Sequence, residues 1–474
     1  MAETSGTTPA PEAGTGTAAE AATASGTAQA PARPLAGITV VEQDSFVAGP
    51  SSCLGLAQLG AEIIKIDPLK GGPDIDRWPL NAEGRSIYWG TLNRGKQSVA
   101  LDLRSPEGQE LAQALITAGG DDPSKNGIFV SNNVGRPFLG DEALRARRAD
   151  LIHVKVQGSP SGGPGVDYTV NAETGIPGIT GPVGSSAPVN HALPAWDLLC
   201  GQAATTAVVT GLLQRQATGR GAYSEISLAD IAFAAVANLG WYTEALSSQR
   251  AKHGNHIFGS FGTDFATADG RSVMVTAITR RQWAGLVEAT GMTAVVEALQ
   301  SALGVDLADE SERYGLRETL ESLLKPWFAA RTLAQVTEAF DGTAVLWAPY
   351  RTTAEVAASV AAAHGVGTDG GMGQGGTAAA NTAPASGPAD SGTGAAAPQN
   401  GTPAGLGGRV LRTLESPELG TMLVGANPIR FDGEYLGDES PTVFGGATQQ
   451  VLSARLGLSH AELGRLCDAG IIHS

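Results

Sequence analysis

The residues with chemistry to offer gather in one stretch, Pro188–Gln202, which reads PVNHALPAWDLLCGQ. Asp197 stands directly after Pro194, Ala195 and Trp196. Shortly after it comes a run of small and apolar residues, Cys200 to Leu213, with neither proline nor charge. That run predicts a buried helix with Asp197 in its first turn. Free N–H groups and the positive end of the helix dipole favour a carboxylate there, by about 0.3–1 kcal/mol. An ionised carboxylate at a helix start, beside small residues that leave room for a ligand, is a usable nucleophile. The same carboxylate is also an ordinary first-turn acid that only steadies its helix. Spacing alone leaves both readings open. Cys200 offers either a rival thiol nucleophile or a small packing residue. His253 and His256, within HGNHIFGSFG, invite a metal reading, but no further ligand stands near them in the sequence and no metal is expected.

Such a carboxylate needs a scaffold, and the chain's 474 residues suffice for two or three domains. Residues 1–33 are Ala, Thr, Gly, Pro and Glu with almost no large apolar side chains, and predict a disordered tail. Residues 365–408 have the same character and predict a disordered insertion, which a fold tolerates because closure entropy grows slowly with loop length. Between them, GITVVEQ (37–43), EIIKID (62–67), SVALDL (98–103), Gly127–Ser131, LIHVKV (151–156) and AYSEISL (222–228) predict strands. Helices are expected over 50–60, 106–118, 141–149 and 229–246. Strands alternating with helices indicate a parallel α/β sheet. A smaller α+β unit is expected over 264–350. Gly408–Ser474 should open with strands and end in two helices, around 448–455 and 459–469. The first strand is followed by VVEQDSFVAGP, not GxGxxG, and no GxxxxGK[ST] is present, so neither nucleotide fingerprint is found.

Composition narrows the partners. A formal net charge of −16 argues against nucleic acid. An anionic ligand still fits where cations gather, as Arg94, Lys96 and Arg104 do around SVALDL. No apolar stretch is long enough to span a bilayer, so no membrane partner is expected. The N-terminus lacks a basic region followed by an apolar core. Three scattered cysteines, Cys53, Cys200 and Cys467, give no CxxC pair, and a reducing cytoplasm is the expected compartment.

Several strings resemble one family: PLAGITVVEQDSFVAGP (34–50), LGAEIIKIDP (59–68), LNRGKQSVALDLRSPEGQEL (92–111) and TGRGAYSEISLAD (218–230). Together they are similar to the family III CoA-transferases, over essentially Pro34 to Ser474 apart from the insertion. Further strings, DPLKGGPDIDRWP (67–79), VDYTVN (166–171), VNHALPAWD (189–197), GSFGTDFATADGRSVMV (259–275) and WAPYRT (347–352), resemble members that move CoA between the two carboxylates of one diacid, mesaconate.

The resemblance implies an α/β fold in an interlocked homodimer. A Rossmann-like large domain would form from residues 34–230 and 409–474, and a small α+β domain from 264–350. Residues 231–263 would be a linker helix and glycine loop, and 351–364 a return helix. Asp197 matches the family's nucleophile, and Asp167 an acidic position beside it that orients substrate or tunes Asp197. Tyr168 and His191 would line the substrate pocket, or serve the local backbone alone. Gly259 and Gly262 match a mobile loop shielding the intermediate, with an interdomain turn as the plainer reading. Val47, Ala48, Leu101, Arg104 and Asn132 match CoA contacts, joined by Arg94 and Lys96. Arg136 is a candidate phosphate partner, although VSNNVGRPFL departs from the family's NFxPG. CoA would arrive as part of an acyl-CoA thioester substrate, with no separate cofactor. Rival expectations are transfer to a second diacid, racemisation of a 2-methylacyl-CoA, and a non-catalytic thioester binder.

Overall fold

Six short runs rich in Val and Ile form the centre of the molecule: β1 (Thr39–Gln43), β2 (Glu62–Pro68), β3 (Lys96–Leu101), β4 (Ile128–Ser131), β5 (Ile152–Gln157) and β6 (Tyr223–Ser227). A computed structural model of the chain describes residues 33–132, 135–366, 410–437 and 439–473. The disorder expected for 1–33 and 365–408 falls almost wholly outside those residues. All six strands pair in parallel, in the order β3-β2-β1-β4-β5-β6. β1 and β4 are buried along their whole length, because helices cover both faces.

One face carries α1 (Ala48–Gln58), whose small residues pack with Val40, Ile63, Val130 and Val154. The other carries helices Pro106–Thr117, Thr448–Leu456 and His460–Asp468 over Ile64, Val99 and Phe129. The late chain also closes the β3 edge. Gly445 N–H donates to Ser98 Oγ (2.8 Å), Ala447 N–H to the Ser98 carbonyl (3.1 Å), and Asp102 N–H to the Ile471 carbonyl (2.8 Å). The expected parallel α/β sheet is therefore present, with both ends of the chain contributing to it.

Residues 261–349 hold a separate antiparallel sheet, Phe261–Ala266, Ser272–Ala277 and Leu346–Pro349. Its core gathers Phe261, Phe265, Trp283, Phe328 and Phe340. Its first strand begins inside the stretch read as a glycine loop. The helix expected over 229–246 is two, Leu228–Asn238 and Trp241–Ala245. They part at Gly240, whose φ of +76° a helix cannot accommodate.

Candidate active site

Asp197 is the third residue of α7 (Ala195–Thr218), a helix longer than the apolar run suggested; the intervening α2 to α6 are Ile87–Asn93, Pro106–Thr117, Asp141–Arg147, Asp167–Glu173 and Ile176–Ile179. α7 lies alongside α1, and Gly201 is what permits it. A Cβ there would sit 2.3 Å from Ser51 Oγ and 2.8 Å from the Ala48 carbonyl oxygen. One turn further on, Thr205 and Ser52 hydroxyls lie 3.2 Å apart, so the two helices run in the same direction. One turn back from Gly201, Asp197 comes beside the loop that joins β1 to α1.

That loop borders the crevice where an open parallel sheet takes ligands. The strand order turns about β1 and β4, and such a switch point opens beyond the carboxyl ends of the strands. Asn132, immediately after β4, ties the mouth together. Its Nδ2 donates to the Ser45 carbonyl (2.8 Å) and its Oδ1 accepts the Ser45 N–H (3.2 Å). Phe46, at φ +71°, turns the chain back and donates its N–H to Asp74 Oδ2 (2.9 Å). Val47 and Ala48, both buried, begin α1 at this edge.

Asp167, the first residue of α5, is buried and caps the nucleophile's helix. Its Oδ2 accepts the N–H groups of Trp196 (2.8 Å) and Asp197 (3.1 Å), and its Oδ1 lies 2.5 Å from His191 Nε2. Trp196 Nε1 donates to Asn171 Oδ1 (3.0 Å), and the Asn171 amide bonds Asn190. The Tyr168 hydroxyl donates to the Ala192 carbonyl (3.2 Å). The 188–194 loop is thus laced to α5 by residues 167, 168 and 171. His191 and Tyr168 are engaged with protein groups, while the Tyr168 ring stays exposed.

The Asp197 carboxylate, by contrast, has no hydrogen-bond partner among the described residues. Burial, then the charge of Asp167, pushes its pKa up to about 6, with Arg77 opposing. The carboxylate is ionised at neutral pH yet weakly solvated, which suits a nucleophile. Burial, then Asp197's own charge, pushes the Cys200 thiol up to about 12. Cys200 is a packing residue of the core, not a thiolate.

The expected cations divide. Lys96 is enclosed: its Nζ lies 2.7 Å from Glu42 Oε2 and donates to Pro50 O (3.0 Å) and Asn93 Oδ1 (2.9 Å). Arg94 is also buried, bonded to the Thr91 and Gly425 carbonyls and 3.5 Å from Glu439. Neither side chain is presented to a phosphate, because each neutralises a carboxylate inside the protein. Leu101 is wholly enclosed in the core. Arg104, just past β3, is exposed beside Asp102 at 3.3 Å. Arg136 lines a cleft of about 240 Å³ with Lys155 and Tyr223.

Gly259 takes φ +80° in a turn, while Gly262 lies inside a strand against Ile257 and Thr276, not in the loop. The neighbouring Phe258 ring packs on Tyr314 (5.2 Å) and under Arg250 (3.6 Å). His253 bonds the Tyr314 hydroxyl (3.2 Å) and His256 pairs with Glu321 (3.0 Å), so they share no site.

Glu42, Asp44 and Cys53 bring ligand atoms within 4.8 Å of one another. The positive charge that set invites is already present as Lys65 Nζ, 2.8 Å from Glu42 Oε1, and as Lys96. Burial would raise Glu42, but the two lysines hold it at about 2, while burial and Glu42's charge push Asp44 well up. The residues fit a closed ion cluster and not a metal.

Three residues at the site went unread in the sequence. Gly201 carries a signal only once α1 is known to face it. Arg77 rests against the rings of Phe46 (5.4 Å) and Tyr88 (5.3 Å). The Tyr88 hydroxyl is buried without a partner among the described residues.

Comparison with known proteins points to one family. The family model described as CoA-transferase family III matches residues 35–403. The 2-methylfumaryl-CoA isomerase of Chloroflexus aurantiacus is 38% identical over 442 residues, which is 92% of this chain and 97% of that protein. The succinyl-CoA–D-citramalate CoA-transferase of the same organism is 29% identical and covers 66% of this chain and 77% of its own. The crystal structure of a CAIB/BAIF family protein from Brucella suis superposes with a TM-score of 0.65 at 21% identity, over 89% of this chain and 98% of that one.

Proposed function

The chain belongs to CoA-transferase family III, and from that premise we propose that it is an intramolecular CoA-transferase, moving CoA from C1 to C4 of mesaconate. The substrate is 2-methylfumaryl-CoA and the product 3-methylfumaryl-CoA. The observation that carries the reading is the unpartnered Asp197 carboxylate at a helix start beside the switch-point crevice. The relative that matches 92% of this chain, a 2-methylfumaryl-CoA isomerase, supplies the substrate.

Asp197 attacks the thioester carbonyl, the C–S bond breaks, and a mixed anhydride and CoA thiolate form. The thiolate attacks the Asp197 carbonyl, giving an aspartyl-CoA thioester and free mesaconate. The diacid turns, and its other carboxylate attacks that thioester, releasing the thiolate again. The thiolate then attacks the acyl carbonyl, forming the C4 thioester and freeing Asp197. No proton is gained or lost. The Gly259 turn is assigned to closure over the retained diacid. Asn132, Val47, Ala48, Arg104 and Arg136 are assigned to CoA, with no cofactor besides the CoA of the substrate.

A homodimer accounts for the apolar side chains that one chain leaves exposed on α7 and the helix after β6: Leu199, Leu213, Phe233 and Leu239. The compartment assigned is the cytoplasm.

Incubation with 2-methylfumaryl-CoA alone tests the function. The C4 thioester forms without added acid, and the Asp197 peptide carries CoA by mass spectrometry. A strict need for a second acid would replace this reading with intermolecular transfer, the activity named for the citramalate relative. Solvent deuterium entering the α-carbon of a 2-methylacyl-CoA would replace it with racemisation.

A further inference from the structure

Arg77 is an arginine without an ion-pair partner among the described residues. It follows β2 in the loop whose Asp74 fixes the Phe46 turn. Its guanidinium lies 5.4 Å from the ring centre of Phe46, in the β1–α1 loop, and 5.3 Å from that of Tyr88, in α2 (Ile87–Asn93). Cation–π contacts at that distance restrain a guanidinium and leave its N–H donors free. Asp197 lies one turn before Gly201, whose Cβ position meets Ala48 and Ser51 of α1, the helix that the Phe46 loop leads into. Arg77 is thus an exposed, unpaired cation held by two rings at the loop that leads into α1. The charge of Arg77 is also felt at both Asp197 and Tyr88. The other cations considered for the site are engaged elsewhere: Lys65, Lys96 and Arg94 are enclosed with carboxylates, Arg104 lies beside Asp102, and Arg136 lines the cleft with Lys155 and Tyr223.

We infer that Arg77 is the specificity-determining residue that binds the non-reacting carboxylate of the diacid while the other end is joined to or attacks Asp197. A guanidinium takes a carboxylate by two parallel N–H···O bonds, a geometry a neutral acyl terminus cannot supply. The diacid has a carboxyl group at each end. Turning it end for end therefore exchanges which carboxylate Arg77 holds and which meets Asp197. One arginine then serves both halves of the reaction and keeps the freed dianion from leaving. The inference rests on the transferase reading, and the experiment separates the two.

The variants Arg77→Met and Arg77→Lys are made in the full chain. Formation of the Asp197–CoA adduct is followed from 2-methylfumaryl-CoA and from tigloyl-CoA, in which a methyl group replaces the C4 carboxylate. Binding of free mesaconate is measured by calorimetry. Arg77→Met should lose about 10- to 100-fold in kcat/KM with the diacid thioester, change less than about 3-fold with tigloyl-CoA, and weaken mesaconate binding at least about 10-fold. Arg77→Lys should recover part of both losses. Equal losses with the two thioesters, or unchanged mesaconate binding, overturn the inference. Arginine-dependent mesaconate binding in a wild-type chain that forms no adduct overturns the transferase reading and leaves only the carboxylate contact of Arg77 standing.

Discussion

One oxygen of Asp167 accepts the backbone N–H of Asp197 at 3.1 Å, so the second acid of the site holds the nucleophile by its main chain and not through its side chain. The same oxygen takes the Trp196 N–H, and together these satisfy two of the free donors at the start of α7. Asp167→Ala should cost about 2 kcal/mol of stability through the lost cap and lower kcat far more than it raises KM. Asp167→Asn keeps an acceptor oxygen but removes a negative charge near Asp197. Its adduct formation should keep most of the wild-type rate, with the acid limb of the pH profile moved to lower pH. An unmoved limb would show that the two carboxylates do not interact.

The wild-type pH profile follows from Asp197 itself. Its pKa in the folded chain is about 6, above the ordinary 3.8. Adduct formation requires the ionised form, so the rate should rise with pH through about 6 and level off above it. Stability moves the other way. Between 3.8 and 6 the folded chain binds more protons at this position than the unfolded chain, so this contribution falls as pH rises. Asp197→Asn should be more stable than wild type at pH 8, by on the order of 2 kcal/mol, and about equal below pH 4. Denaturant midpoints at the two pH values measure the difference.

Gly201→Ala tests the helix contact. The added carbon meets a backbone carbonyl at 2.8 Å, which cannot swing aside as a long side chain would. Loss of about 1–3 kcal/mol is expected, together with a lower rate of adduct formation, because α7 must shift and carry Asp197 with it. A variant of normal stability with normal kinetics would detach the nucleophile's position from that contact.

Lys96→Met separates an interior ion pair from a CoA phosphate contact. Glu42 would retain Lys65 alone, and the Asn93 side-chain oxygen would lose its donor. A loss of about 3–5 kcal/mol is expected. Unchanged thermal stability with weakened CoA binding would reassign Lys96 to the ligand.

Leu213→Glu places a charge on the exposed face of α7, where Leu213 is 60% exposed in the single chain. Sedimentation should show wild-type dimers and a monomeric variant that keeps its helical circular dichroism. A variant that remains dimeric would remove this face from the contact between copies.

The sheet was legible because parallel strands covered on both faces are written as short runs of Val and Ile, and each of the six lies within two residues of its expected position. Asp197 was legible for a related reason: its first-turn place needs only the residues that follow. What escaped depends on distance along the chain. The cap on α7 comes from thirty residues earlier, and Lys96 and Arg94 are neutralised by Glu42 and Glu439, which no local pattern connects to them. The apolar composition of α7 predicts a buried helix. Only one face of it is covered: Cys200, Gly201, Ala204 and Val208 are buried, while Leu199 and Leu213 are exposed. Composition records how apolar a helix is, not which of its faces the fold covers.

The closing of the β3 edge by residues 445 to 473 has a consequence for synthesis. A ribosome delivers β3 more than three hundred residues before its final neighbours emerge. Through that interval the nascent sheet carries bare amide and carbonyl groups along one side, the condition in which growing chains recruit each other or a chaperone. Release of this protein should therefore trail translation by a slow annealing step, and pulse-labelled chains stalled near residue 440 should be captured by holdase chaperones while finished chains are not.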